Sequence, residues 1–181
     1  MTALKFIALF LYLSLQAIPS HALESFPDFS RKPDSQYHLS ADIVIEPRAV
    51  HPGALFELRV WISLDEGWHI YSMETANGQE DYPTRIRLND SRFVGQGEWK
   101  EPKPKVIFDG ALGKMVKTHK NVIEFRRFYW APRDTKVGSY NLAGIIIYRA
   151  CDNRICTLPR EMGFSTPLEI LDPSRKRERP H

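Results

Sequence analysis

Cysteine is scarce in this sequence: two residues in 181. A structural zinc site takes four ligands, commonly two cysteine pairs or a cysteine pair with a histidine pair. Here there is one cysteine pair, and His38, His51, His69 and His119 are scattered along the chain, so no metal is expected. Net charge is scarce too. Lys and Arg number 25 against 22 Asp and Glu, a formal +3, and part of that excess lies in the terminal run Arg175-Lys176-Arg177-Glu178-Arg179. A nucleic-acid partner needs a basic face with base-reading groups, which this distribution does not supply. Long apolar runs are missing. The longest, Phe6 to Ile18, is interrupted by Ser14 and Gln16 and falls short of the roughly 20 residues that span a bilayer. No stretch carries a sustained helical period, and there is no internal repeat or low-complexity block.

What is present reads as one exported β domain. Lys5 precedes the short apolar run, and Pro19-Ser20-His21-Ala22 places small residues for cleavage after Ala22, the pattern of a secretory signal peptide over residues 1–22. No cysteine follows the cleavage site, which argues against a lipoprotein. Residues 23–38, with Pro27, Pro33 and several Asp and Ser, read as a flexible leader. The folded part is expected over residues 39–171. The apolar fraction of 43% and charged fraction of 26% suit a globular core. Residues 172–181 read as a disordered basic tail.

The folded part carries β periodicity. Leu39, Ala41, Ile43 and Ile45 share one face of a strand. Phe56, Leu58, Val60 and Ile62 share one face of a second, with Trp61 on the other. Trp68-His69-Ile70-Tyr71 follows a tight turn at Asp65-Glu66-Gly67, and Met73 to Asp81 reads as loop. Thr84–Leu88, Asn121–Trp130 and Gly138–Tyr148 read as strands, with a last short one at Thr166–Leu171. Gly95 and Gly97 mark a bulge or loop. The prolines at 102 and 104 exclude a central strand there. Asp109 to Lys114 reads as loop. Eight or nine short strands with frequent turns predict an all-β antiparallel sandwich.

The two cysteines, Cys151 and Cys156, bracket Asp152-Asn153-Arg154-Ile155 just after the strongly β-favouring run Ile145-Ile146-Ile147-Tyr148. A plain structural disulfide is one reading. Three arguments point to chemistry instead. Closing a ring of about six residues stabilises by only about 2 kcal/mol, against about 4.7 for a 100-residue loop, and a domain of this size has little need of so weak a constraint. The turn formers place the pair near the surface, where an incoming thiolate can reach a sulfur. Arg149 and Arg154 flank Cys151 and favour a thiolate, while Asp152 opposes them.

The segment Tyr148-Arg149-Ala150-Cys151, a short gap, then Cys156-Thr157-Leu158-Pro159 resembles the active-site segment of the N-terminal periplasmic domain of DsbD-type thiol:disulfide interchange proteins. The Gly-aromatic run Gly67-Trp68-His69-Ile70-Tyr71 and the stretch Pro102 to Lys105, followed by the loop Asp109 to Lys114, fall in that family's order. The resemblance covers roughly residues 39–171. It implies an immunoglobulin-like β-sandwich whose cysteine pair, here Cys151 and Cys156, takes electrons from a membrane-embedded reductase. The pair then reduces oxidised periplasmic proteins, such as a disulfide isomerase or a cytochrome c maturation factor. No bound cofactor is implied, because the dithiol is the redox centre. His69 and Tyr71 are expected beside the pair. His69 there would titrate near neutral pH and assist proton transfer, although a solvated strand-end histidine is the simpler reading.

Two departures stand out. The family covers its cysteines with an aromatic residue from a cap loop, and Asp109-Gly110-Ala111-Leu112-Gly113 has none. That leaves Phe108 or Leu112 to stand in, or the pair less shielded. The family's membrane and thioredoxin-like domains are also missing from this sequence, so the resemblance implies work in trans. The alternative is a non-catalytic sandwich with a static disulfide that binds a protein partner.

Overall fold

A computed structural model describes residues 37–74 and 82–174. The expected signal peptide, the leader except Tyr37 and His38, residues 75–81 of the expected loop and the basic run at 175–181 lie outside the described residues. The strands, in chain order, are β1 (Leu39–Glu46), β2 (Ala49–Val50), β3 (Leu55–Leu64), β4 (His69–Tyr71), β5 (Arg85–Leu88), β6 (Val94–Lys100), β7 (Lys105–Asp109), β8 (Lys114–Lys120), β9 (Val122–Trp130), β10 (Gly138–Tyr148), β11 (Ala150–Cys151) and β12 (Arg160–Ile170). Among the described residues no helix is long and apolar enough to cross a membrane.

The strands form three sheets, ordered β1-β3-β9-β6, β2-β12-β10-β5 and β11-β4-β8-β7. The first two pack face to face. In β3 the period-2 pattern buries Phe56, Leu58, Val60, Ile62 and Leu64. These join Ile123, Phe125 and Tyr129 of β9 in one core with Ile86 of β5, Leu142 and Ile146 of β10, and Leu168 and Ile170 of β12. Burying each large apolar side chain contributes about 1.5–3 kcal/mol. This core, rather than a six-residue disulfide ring, holds the sandwich together. The fold is all-β and immunoglobulin-like, with antiparallel pairing throughout except the short parallel contact of β2 with β12.

β12 and β8 depart from the periodicity reading, whereas a bulge at Gly95 and Gly97 and a strand across Pro167 are found as read. β12 runs from Arg160, far earlier than Thr166, because β10 pairs with it over its whole length. Pro167 is tolerated inside it because β2 pairs with β12 only at Glu169 and Ile170. Gly95 and Gly97 lie within β6, where the register with β9 shifts between Gln96 and Lys100, a bulge inside a strand. β8 was not foreseen: Lys114-Met115-Val116-Lys117-Thr118-His119-Lys120 has only two apolar residues, and it becomes a strand because β4 and β7 pair with it on either side. The Pro102–Pro104 stretch falls between β6 and β7, and β7 is an edge strand.

Candidate functional site

The third sheet gathers the chemistry. In β4 the side chains alternate, so His69 and Tyr71 point to one face; both are buried. β11 lies beside β4 with Cys151 directly opposite His69. On the far side of β8, β7 ends in Asp109, also buried. Three strands from distant parts of the sequence thus place His69, Tyr71, Asp109 and Cys151 together.

Cys151 and Cys156 are joined, with an S–S distance of 2.05 Å and a Cα separation of 4.1 Å. The intervening loop is built by Asp152, whose Oδ1 accepts from the backbone N–H of Arg154 and of Ile155, each at 2.9 Å. This local use of Asp, an Asx turn, is what the residue type offers. It spends the Asp152 carboxylate on the turn, and these backbone hydrogen bonds hold it below the usual carboxylate range. Arg149 is likewise committed: its Nε donates to Thr157 O at 3.0 Å, and its guanidinium lies 4.7 Å above the Tyr82 ring. The two sulfurs differ in access. Cys151 is fully buried, whereas Cys156 is half-buried between the exposed Ile155 and the half-buried Thr157.

Tyr71 and Asp109 dominate the electrostatics beneath the disulfide. The Tyr71 hydroxyl donates to Asp109 Oδ2 at 2.7 Å and lies 2.8 Å from Cys151 Sγ and 3.7 Å from Cys156 Sγ. Asp109 Oδ2 also pairs with His69 Nε2 at 3.1 Å, and Oδ1 accepts from the N–H of Ala111 and Leu112. Burial opposes ionisation of Asp109, but the hydrogen bonds from Tyr71 and His69 outweigh it and hold the carboxyl below its usual range. Burial, reinforced by the Asp109 charge, pushes the Tyr71 phenol well up, so it stays protonated. Burial lowers His69 despite the pull of Asp109, so the ring is neutral at pH 7. An ionised Asp109 only accepts, so the pairing requires Nε2–H on His69. Its Nδ1 is then a bare acceptor, buried without a partner. The strand-end solvated histidine is therefore not found; His69 is an interior group.

The cap loop between β7 and β8 closes over the pair without an aromatic residue. Leu112, with Ile107 and Cys156, packs against Tyr71, Val116 and Cys151. Phe108, also expected beside the cysteines, is not there. The alternation of β7 turns Ile107 and Asp109 inward and leaves Phe108 61% exposed. The cap is pinned to the cysteine loop by a contact the sequence did not reveal: Gly110 N–H donates to Asn153 Oδ1 at 2.8 Å. Asn153 holds a positive φ of 80°, a conformation Asn tolerates better than most residues. A Cβ on Gly110 would lie 2.5 Å from the Asn153 carbonyl oxygen, so only glycine fits. The turn-forming Asp152-Asn153 and Asp109-Gly110 pairs were visible as loops, but not as each other's partners.

Such an arrangement defines a class: a β-sandwich with a single disulfide on a side sheet, one sulfur buried against a Tyr–Asp pair and the other open to approach, as suits thiol:disulfide interchange. The particular family follows from comparison. Residues 38–167 match the family described as "Thiol:disulfide interchange protein DsbD, N-terminal", and the chain belongs to it. Among solved structures, the N-terminal periplasmic domain of ScsB from Proteus mirabilis shares 18% identity at a TM-score of 0.52, covering 74% of this chain and 47% of that one. The chain thus spans about half the length of that structure. The reduced N-terminal domain of DsbD from Neisseria meningitidis matches at 12% identity and a TM-score of 0.49, covering 77% and 94%. The likeness to the ScsB domain concerns the fold alone. A search of curated proteins returned no match.

Proposed function

We propose that this chain is an exported thiol:disulfide interchange protein that relays two electrons through Cys151 and Cys156, from a membrane-embedded DsbD-type reductase acting in trans to periplasmic thiol–disulfide proteins. The observation that carries this reading is the asymmetry of the pair: Cys151 is sealed against Tyr71 while Cys156 is half-buried at the loop. In-line attack by a donor thiolate is therefore directed to Cys156 Sγ. The Cys156–donor disulfide forms, the Cys151–Cys156 bond breaks, and Cys151 leaves with the electron pair and takes up a proton. A second donor thiolate then attacks the donor sulfur of the mixed disulfide, releasing Cys156. Two electrons and two protons have moved, and the reduced pair repeats the sequence in reverse on an oxidised acceptor. The dithiol is the redox centre, and no bound cofactor is needed. The signal-peptide pattern and the family support export to the periplasm.

Two measurements test this. The reduction potential of the pair against glutathione should fall near about −200 mV, the range of exchangeable disulfides; a value below about −300 mV is that of a structural bond. The variant Cys151→Ala leaves Cys156 as a lone thiol that should capture an oxidised periplasmic protein as a mixed disulfide. A potential in the structural range, or no capture by either single-cysteine variant, would leave a non-catalytic sandwich with a static disulfide.

A further inference from the structure

The histidines are scattered in sequence, but folding delivers one of them to the cysteines. His69, Asp109 and Cys151 each place a ligand atom within 4.8 Å of the others, and all three residues are buried. Cys156 Sγ, bonded to Cys151 Sγ, supplies a fourth donor at the same spot. From this clustering we propose that the reduced form of the chain binds one zinc ion through Cys151, Cys156, His69 and Asp109.

The donor set is chemically matched. Two thiolates, an imidazole and a carboxylate suit zinc, with bonds of about 2.3 Å to sulfur and about 2.0–2.2 Å to nitrogen or oxygen. A tetrahedral centre of that size sets its donors on the order of 3.3–3.8 Å apart. The His69 Nε2 to Asp109 Oδ2 distance of 3.1 Å is already close to that. Cys151 Sγ lies within 4.8 Å of both, a small contraction away, and the two sulfurs, 2.05 Å apart in the disulfide, must separate on reduction to take their places. Ligation through His69 Nε2 requires the proton there to move to Nδ1, the ring nitrogen that has no partner and can carry it.

The site is gated by redox state. In the disulfide the sulfurs are 2.05 Å apart, too close for both to bind one ion, and neither is a thiolate. Reduction by a dithiol, or by a phosphine with water as the proton source, adds two electrons and two protons and breaks the S–S bond. Zinc then displaces both thiol protons. Entry lies past Leu112 and the half-buried Cys156. Tyr71 is the competitor: its hydroxyl lies 2.7 Å from Asp109 Oδ2 and 2.8 Å from Cys151 Sγ, in the space between donors. A metal-bound pair cannot reform its disulfide, so zinc would hold the chain out of electron exchange.

The test uses the chain reduced with a phosphine, desalted without oxygen and dialysed against zinc. Bound metal is counted by mass spectrometry, and affinity is read by competition with a chromophoric chelator. One zinc per reduced chain and none per oxidised chain is expected, with slower reoxidation by oxidised glutathione. Cobalt in place of zinc should give a thiolate-to-metal charge-transfer absorption. His69→Ala and Asp109→Asn should each weaken binding at least about tenfold, and Tyr71→Phe should bind at least as tightly as the wild type. Thermal melts of the oxidised variants check that they fold; His69→Gln replaces His69→Ala if the latter does not. The inference is overturned if the reduced chain retains less than one zinc, or if the folded His69 variant binds as tightly as the wild type. It needs only a reducible disulfide, not the relay. A chain that binds zinc yet captures no partner would uphold this inference and overturn the proposed function.

Discussion

Asp109→Asn tests the electrostatics of the site most directly. When the disulfide opens, Cys151 is left buried within 4.8 Å of a carboxylate that its own hydrogen bonds keep ionised. Two unit charges at that distance repel by about 3.5 kcal/mol at an effective dielectric of about 20. The Tyr71 hydroxyl adds to the effect. Its single proton is drawn to Asp109 at 2.7 Å, so the phenolic oxygen facing Cys151 is better placed to accept an S–H than to stabilise a thiolate. The wild-type Cys151 is therefore expected to leave as a thiolate reluctantly and to end as a thiol. Asparagine is isosteric and neutral, and it removes the repulsion while loosening the hold on the Tyr71 proton. In a Cys156→Ala background, the pH midpoint for alkylation of Cys151 should fall on adding Asp109→Asn. A drop of at least one unit is expected, up to about 2.5 units if the full repulsion is relieved. With both cysteines present, the same change should speed reduction of the disulfide by small thiols, because a better leaving thiolate departs faster. A midpoint that stays put, or rises, would refute the claim that an ionised Asp109 governs this sulfur.

Gly110→Ala should force the cap loop off the cysteine loop, since its Cβ would sit 2.5 Å from the Asn153 carbonyl oxygen. The expected result is faster reduction by glutathione, with Asn153→Ala giving a smaller change in the same direction; unchanged rates in both would show that the cap does not shield the pair. Leu112→Ala should raise the reduction rate by bulky, non-cognate thiols. It should lower stability by no more than about 2 kcal/mol, the low end for such a truncation because Leu112 is only partly buried; urea melts and stopped-flow reduction read the two effects. Stability should fall on acidification in two windows. His69 is neutral in the fold with its pKa lowered, so below about 6.5 the unfolded chain binds more protons and the fold loses stability as pH drops. Asp109 is also lowered, and its contribution, present above the ordinary carboxylate range, is lost as pH falls through its native value. Thermal melts from pH 8 to 4 should show His69→Gln flattening the upper window, and an identical profile for variant and wild type would remove His69 from this account.

Much of the sandwich was legible because its strands are half-buried and so write their burial into a period of two. The run Phe56, Leu58, Val60, Ile62 is the clearest case, and the structure buries each of them. The reading failed where pairing, not periodicity, makes the strand. β8 carries lysines and a histidine through the middle of a sheet because strands on both sides satisfy its backbone, and no local pattern announces that. The site divides the same way. Cys151 and Cys156 stand out by scarcity, and His69, Tyr71, Asp109 and Leu112 were placed near them by family order, where the structure puts them. Phe108 shows the limit of that order. One step along an edge strand reverses a side chain's direction, so Asp109 turns in to Tyr71 and His69 beneath the disulfide and its neighbour faces water. The cluster of His69, Asp109 and Cys151 was hidden for a related reason. Counting histidines along the chain treats separation in sequence as separation in space. The ladder pairs Cys151 with His69 across 82 residues of chain and, with Asp109, gives a two-cysteine sequence a buried cluster of three candidate donors. Where the residues that do chemistry belong to adjacent strands, register is the informative quantity, and it is fixed by the whole sheet.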